Sequence, residues 1–400
     1  MIHREKVIAA LEEKRDRFRD FAVDHRAQQT WLAQQLAYLQ QADSQIIRDR
    51  LVQMGVERPG ALPTAELDQA QGLRLAFSCH WQNHQEARSW ALDVLQERPV
   101  FAVDGSQITP TKDFSIPVGA VQVGWFINYH TPGGRYVKDV AFEILAPQEL
   151  GEAPTDDDTD RGFPDWRVNQ LRFVRECEKH CQLLEALATT PASRLPAAFF
   201  DGSLIISFAG QMRPERRRPY VRAVRDLLAC SQRYAIPVIG FVDSSYSRDL
   251  VTLLEVLSGR PDSVAWSDAG LVDDLLPGWG DRTPFFLCAR DDPLSQHGDA
   301  DFYNQVAFTY VRLAGERPPA RVEVPAWVLE AGLAEEVVDL VRAQCVVGTG
   351  YPYVIETADA LAVISQEDRQ RFYALFQQFA LQEGLPFTQA RKALSKRLRR

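Results

Sequence analysis

Residues 100–145 read VFAVDGSQITPTKDFSIPVGAVQVGWFINYHTPGGRYVKDVAFEIL, and their period-two alternation of β-branched and aromatic residues departs from everything before them. Three β-rich runs stand out, at 100–107, 118–130 and 135–145. Thr131-Pro132-Gly133-Gly134 separates the last two and is a hairpin signal, so three consecutive antiparallel strands should open a sheet. Downstream, residues 163–189 carry the apolar spacing of a long amphipathic helix. AAFFDGSLIISF (197–208) is apolar on both faces, as a buried central strand must be. A basic helix (215–234), a strand (236–245) and a helix (247–258) follow.

The order β-β-β-α-β-α-β-α predicts an α/β fold with a ribonuclease-H-like mixed sheet flanked by helices. Residues 283–290, 302–314 and 321–327 read as further strands, and 326–344, 351–365 and 367–384 as closing helices. Upstream, residues 3–57 show apolar positions at helical spacing with no proline before Pro59. Their stripe suits packing on a local core or pairing with a second chain. A Pro- and Gly-punctuated connection (54–67) and a helix at 83–97 follow. The expected organisation is an N-terminal helical extension (1–95) for dimer or partner contacts, a catalytic domain (96–385) and a basic C-terminal tail (386–400).

With 46% hydrophobic and 25% charged residues among 400, the chain has globular composition, and disorder is excluded as its main state. No apolar run reaches the roughly 18 residues that span a bilayer. The N-terminal MIHREKVIAALEEKRDRF lacks a signal peptide's apolar centre, and the six scattered cysteines suggest neither a disulfide framework nor a zinc cage. The expectation is a soluble, cytoplasmic protein without membrane contact. The net charge of −9 conceals local patches: GEAPTDDDTD (151–160) is acidic, whereas Arg213, Arg216, Arg217, Arg218, Arg222 and Arg225 cluster. Only seven of the 45 basic residues are lysine, a bias that reflects either phosphate recognition by planar guanidinium forks or genome composition.

The chemistry concentrates in a repeat. Asp-Gly-Ser occurs twice after an apolar run, in FAVDGSQ at Asp104 and AFFDGSL at Asp201. A single DG is a turn signal. Two copies in matching contexts suggest paired carboxylates at strand ends, with glycines allowing a turn or the close approach of a phosphate or metal. Adjacent strands would bring the aspartates together, where mutual repulsion favours a divalent cation. Oxygen ligands without a Cys or His cluster point to magnesium or manganese, and metal-assisted phosphodiester cleavage is the matching chemistry. His80 and His84, beside Cys79, are the one histidine pair with ligand spacing, and without a second cluster they read as surface or interface residues.

In these features the sequence resembles the NurA nucleases. The shared pattern is Asp104-Gly105-Ser106 on a first strand, an acidic residue on the helix around Glu176, Asp201-Gly202-Ser203-Leu204 on a later strand, and Tyr351-Pro352 followed by a helix through Asp359. The resemblance spans roughly residues 95–385. It implies a manganese- (or magnesium-) dependent DNA nuclease with two metal ions, acting on single- and double-stranded DNA ends. It further implies a homodimer docked on a HerA-type hexameric translocase ATPase that prepares breaks for recombinational repair. Asp104, Asp201 and Glu176 would be metal ligands, and Tyr351 and Asp359 would orient substrate or water. Glu178 competes with Glu176; two residues along a helix rotate a side chain by about 200°, so only one can face the site.

Two positions depart from the family pattern. Asp359 stands where the family commonly places histidine. Asp243, in IGFVDSS, stands where many relatives carry a basic residue, and reads as either an extra ligand or the N-cap of the next helix. Glu356 could substitute for Asp359 or serve the start of its helix. Arg213, Arg216, Arg217 and Arg218 are expected to contact the DNA backbone. One alternative is a weakly active or inactive DNA-end or translocase-binding subunit of the same fold, suggested by Asp359. Another is an actin-like phosphotransferase or ATPase, in which the second aspartate should open a hairpin. Here Asp201 leads instead into FAGQMRPERRR (208–218) and a helix.

Overall fold

A computed structural model describes residues 2–151, 165–260, 266–299, 301–386 and 388. The acidic stretch 152–160 and all but Pro386 and Thr388 of the expected basic tail lie outside the described residues. The described strands are β1 Gly60–Pro63, β2 Val100–Ile108, β3 Gly119–Asn128, β4 Tyr136–Leu145, β5 Ala197–Asp201, β6 Val238–Val242, β7 Phe286–Ala289, β8 Val306–Val311 and β9 Ala320–Pro325. The chain divides into two compact units. One holds His80–Phe241, Pro293–Phe302 and Glu323–Arg400; the other holds Met1–Cys79, Val242–Asp292 and Tyr303–Val322.

In the larger unit β2 pairs antiparallel with β3 from Val100↔Asn128 to Ile108↔Ala120, and β3 pairs antiparallel with β4. On its other side β2 runs parallel to β5, Val100↔Ala197 through Val103↔Phe200, and β5 runs parallel to β6. The order β6-β5-β2-β3-β4 is the mixed ribonuclease-H-like arrangement that the element order predicts. Its cause is burial: Val100 through Val103 and Ala197 through Phe200 are all buried, so only central positions suit β2 and β5. The edge strand β4 leaves Tyr136, Val137, Val140, Phe142 and Ile144 exposed.

The helix Asp165–Ala188 buries Val168, Phe173, Cys177, Leu184 and Leu187 at helical spacing and packs on β2 and β3. The helix Tyr353–Ala362 also packs on these strands, and a Cβ on Gly124 of β3 would stand 2.9 Å from the backbone nitrogen of Ala362. The second DGS motif ends its strand earlier than its apolar run suggests. Gly202 turns the chain at φ +128°, and a short 3-10 turn, Ser207–Gln211, precedes the helix Pro214–Tyr234. No hairpin opens there, unlike the actin-like alternative.

In the other unit the N-terminal helical segment, expected as one long helix or a helical hairpin, is three helices, Arg4–Glu13, Arg15–Leu39 and Ser44–Gln53. Leu32, Leu36, Leu39, Ile47 and Leu51 are buried, while Val7, Ile8, Leu11, Phe18 and Phe21 are exposed. β1, absent from the sequence reading because its four residues follow Pro59 and end in Pro63, pairs antiparallel with β7, which pairs with β8. An ion network crosses this unit's interior. Arg321 Nη1 lies 2.7 Å from Asp249 Oδ2, which also accepts from Arg290 Nη2 at 2.6 Å. No helix among the described residues is long and apolar enough to cross a membrane.

Candidate active site

Asp104 and Asp201 each stand one residue beyond the Val103↔Phe200 pair of the parallel β2–β5 ladder. They are therefore neighbours across strands about 4.8 Å apart, with side chains on one face. Because Asp104 is paired with Gly124, which faces the helix Tyr353–Ala362, both aspartates lie on that helix's side of the sheet.

Gly105 points to the opposite face, toward the helix Asp165–Ala188. A Cβ there would stand 2.5 Å from Glu176 Oε1 and 2.9 Å from Arg172 Cγ. This corrects the turn reading of the first motif: β2 continues to Ile108, and glycine is needed at position 105 so that Glu176 can close over the strand. The two DGS copies are thus different devices, one inside a strand and one ending it. Ser106 completes the first by donating to the carbonyl of Ala362, and Gln122 Nε2 donates to the same oxygen at 3.0 Å. Both satisfy the open end of the helix that carries Asp359.

The choice between Glu176 and Glu178 is geometric. Glu176 is 6% exposed beside Gly105, whereas Glu178 is exposed on another face and paired with Arg175 at 2.7 Å. Glu176 accepts from Arg172 Nη1, which also donates to the carbonyl of Gly105 at 3.3 Å. Tyr351 donates its phenol to Asp201 Oδ1 at 2.8 Å, and its ring meets Phe241 edge-on at 5.1 Å. Asp359 is exposed on its helix, within electrostatic reach of both aspartates.

Burial and mutual repulsion raise the proton affinities of these acids. Withdrawal from water, with Asp201 and Asp359 nearby, lifts Asp104 to about 6 against the pull of the Gly105 N–H and Arg172. Burial lifts Glu176 to about 8 although Arg172 opposes it, with Asp104 and Asp201 adding to the rise. Asp201 is also raised, by partial burial and by Asp359, with the Tyr351 hydrogen bond opposing. Such a set of oxygen donors fits a hard divalent cation, whose charge would offset the repulsion. Among the described residues no three His, Cys, Asp or Glu side chains form a finished cage. Two carboxylates stand side by side, and the third is held by an arginine.

Several expected residues stand apart from this arrangement. Arg217 is 5% exposed and its Nε lies 2.6 Å from Asp299 Oδ2, so it is not a surface contact; helical phase turns it inward. Arg213 and Arg218 are exposed, and the half-buried Arg216 stacks over Trp166 at 4.4 Å. Asp243 is neither an N-cap nor one of a ligand cluster. Arg248 is the N-cap residue of the helix Asp249–Ser258, and Asp243 lies 3.3 Å from Arg317. Glu356 is exposed in the first turn of its helix, where a negative charge suits the dipole. His80 and His84 are exposed.

Two residues escaped the sequence reading. Arg172 was hidden among the charges of a helix, four residues before Glu176. Glu323, fully buried, accepts from Leu204 N–H at 2.7 Å and from the Ser203 hydroxyl at 2.9 Å, which fixes the loop after Asp201. Its one signal was a charge inside the apolar alternation of RVEVP (321–325).

A sequence profile of the NurA domain matches residues 98–364. No curated protein matches the chain. Similar solved structures include a crystal structure of NurA with manganese, at 10% identity and a TM-score of 0.41, covering 75% of this chain and 93% of that one. NurA bound to dAMP and manganese is similar at 11% identity and a TM-score of 0.40, over 70% of this chain and 88% of that one. The catalytic domain of human endonuclease V is similar at 14% identity and a TM-score of 0.32, over 76% and 95%.

Proposed function

The chain belongs to the NurA family, and on that premise we propose that it is a divalent-cation-dependent deoxyribonuclease that hydrolyses DNA phosphodiesters. The observation that carries this reading is the adjacency of Asp104 and Asp201 on parallel strands, with Glu176 closing over Gly105 behind them. Asp104 and Asp201 would hold the cation or cations, manganese or magnesium, with Glu176 as third carboxylate. A cation held there would polarise a phosphoryl oxygen and make a bound water more acidic.

The chain's own residues supply the positioning. Tyr351 fixes the rotamer of Asp201 through its 2.8 Å hydrogen bond. Glu323 holds the loop behind that aspartate. Asp359, on the exposed face of its helix, would orient water or substrate. Arg213, Arg216 and Arg218 form the surface that meets the DNA backbone; Arg217 is not part of it.

The same proposal extends to the biological setting: processing of single- and double-stranded DNA ends for break repair in the cytoplasm, as a homodimer with a HerA-type hexameric translocase. The exposed apolar stripe of Val7, Leu11, Phe18 and Phe21 supports a helical surface that takes a partner.

The deciding experiment is digestion of labelled single- and double-stranded DNA with manganese, magnesium or EDTA, for the wild type and Asp104→Asn. Metal-dependent cleavage by the wild type and its loss in the folded variant are expected. A wild type that binds DNA and cuts none would favour the inactive-subunit alternative.

A further inference from the structure

Arg172 occupies an unusual position for a salt-bridging arginine. It lies one turn before Glu176 on the helix Asp165–Ala188, and its side chain is 30% exposed where that of Glu176 is 8% exposed. It therefore reaches from the buried carboxylate toward solvent. Only Nη1 carries its hydrogen bonds here, to Glu176 Oε1 and to the Gly105 carbonyl. Nε is buried and has no hydrogen-bond partner among the described residues.

An arginine committed to a structural carboxylate usually presents two parallel N–H groups, and a buried N–H without an acceptor costs free energy comparable to a lost hydrogen bond. The resting contact thus leaves the fork half used. The missing acceptor must be anionic or strongly polar and must arrive from the solvent side; Arg172 stands within electrostatic reach of both Asp104 and Asp201. A phosphodiester matches: its two non-bridging oxygens fit the spacing of a guanidinium fork.

We propose that Arg172 is a substrate-binding residue whose fork takes a non-bridging oxygen of the DNA phosphate, and that Glu176 is its resting partner, exchanged when substrate and cation arrive. This deepens the nuclease reading and rests on it. The same guanidinium that holds Glu176 in the cation-free protein would then hold phosphate at the moment the carboxylate is needed as a ligand.

The test is read without cation and without turnover, as binding of a fluorescein-labelled single-stranded oligonucleotide in EDTA by fluorescence anisotropy. Four proteins form a cycle: wild type, Glu176→Gln, Arg172→Gln and the double variant. Glu176→Gln releases the arginine and should tighten binding, on the order of tenfold if one charged hydrogen bond is gained. Adding Arg172→Gln should remove that gain and lower the slope of log affinity against log salt by about one. The double variant leaves neither charge buried without its partner, so its fold is not put at risk as in Arg172→Gln alone. Arg172→Lys in the Glu176→Gln background keeps the charge without the fork and should bind more weakly than arginine does.

Equal affinity of Glu176→Gln and the double variant would overturn the proposal, as would full replacement of the arginine by lysine. Those outcomes leave the nuclease reading intact if Asp104→Asn still abolishes cleavage. A wild type that neither binds nor cuts DNA removes both.

Discussion

A methyl group on Gly105 would stand 2.5 Å from Oε1 of Glu176, so the glycine of the first DGS motif and a carboxylate 71 positions later are shaped to each other. The strand needs no special backbone angle at that point; only the approach of the helix excludes a side chain. Gly105→Ala should therefore leave β2 intact, push Glu176 off its contact and weaken cation binding and cleavage together. Overpacking would cost about 1–3 kcal/mol. Calorimetric titration with manganese checks it, and Gly105→Ala/Glu176→Ala should recover the lost thermal stability without recovering cation affinity.

Asp104 links stability to pH. Its folded-state proton affinity is raised to about 6, above the unfolded value near 4, so the folded chain binds more protons between those limits. Stability of the cation-free protein then falls as pH rises through that window. Asp104→Asn lacks this loss and, in EDTA at pH 8, should be more stable than the wild type by about 3 kcal/mol. Manganese should reverse the ranking by raising the Tm of the wild type alone. Thermal melts at pH 4.5 and 8, with and without manganese, read both effects.

Tyr351→Phe removes one hydrogen bond to Asp201 and preserves the ring packed on Phe241. The fold should persist, and cleavage should fall by roughly tenfold as the aspartate loses its fixed rotamer and its proton affinity rises further. The rate at saturating manganese, compared across pH, separates the two causes: a proton-affinity effect shrinks as pH increases, whereas a positioning effect does not.

Arg213 and Arg218 are exposed, whereas Arg217 is paired internally with Asp299. Arg213→Ala/Arg218→Ala should reduce the salt slope of DNA binding by about two without changing stability. Arg217→Ala should do the opposite, lowering stability and leaving the slope unchanged. Anisotropy titrations across a salt series and a urea melt distinguish the pair.

Asp249 stands between Arg290 and Arg321 in the interior of the smaller unit. Asp249→Ala removes the buried carboxylate that these two guanidiniums share and should cost about 3–5 kcal/mol. Urea unfolding followed by circular dichroism measures the loss.

Much of this arrangement was legible in the sequence. The three opening strands, the hairpin at Thr131–Gly134, and the helices around Glu176 and Asp359 all follow from local apolar period and turn chemistry, which act over a few residues. β1 was not legible, because four residues that follow one proline and end in another carry no period and exist as a strand through pairing with β7. The second strand was read seven residues too long, because Ile205 and Ile206 are buried in a loop whose polar groups are satisfied by Glu323.

By itself the sequence determined most of the elements and their order, and that two aspartates follow matching apolar runs. Only the tertiary structure decided that Glu176 rather than Glu178 is buried against Gly105, that Gly105 serves a neighbouring helix, that Arg217 points inward and that Arg172 lies within electrostatic reach of both aspartates. The physical reason is range: side-chain period states which face of its own element a residue occupies, whereas the groups across from that face depend on strand register and helix packing between segments distant in the chain.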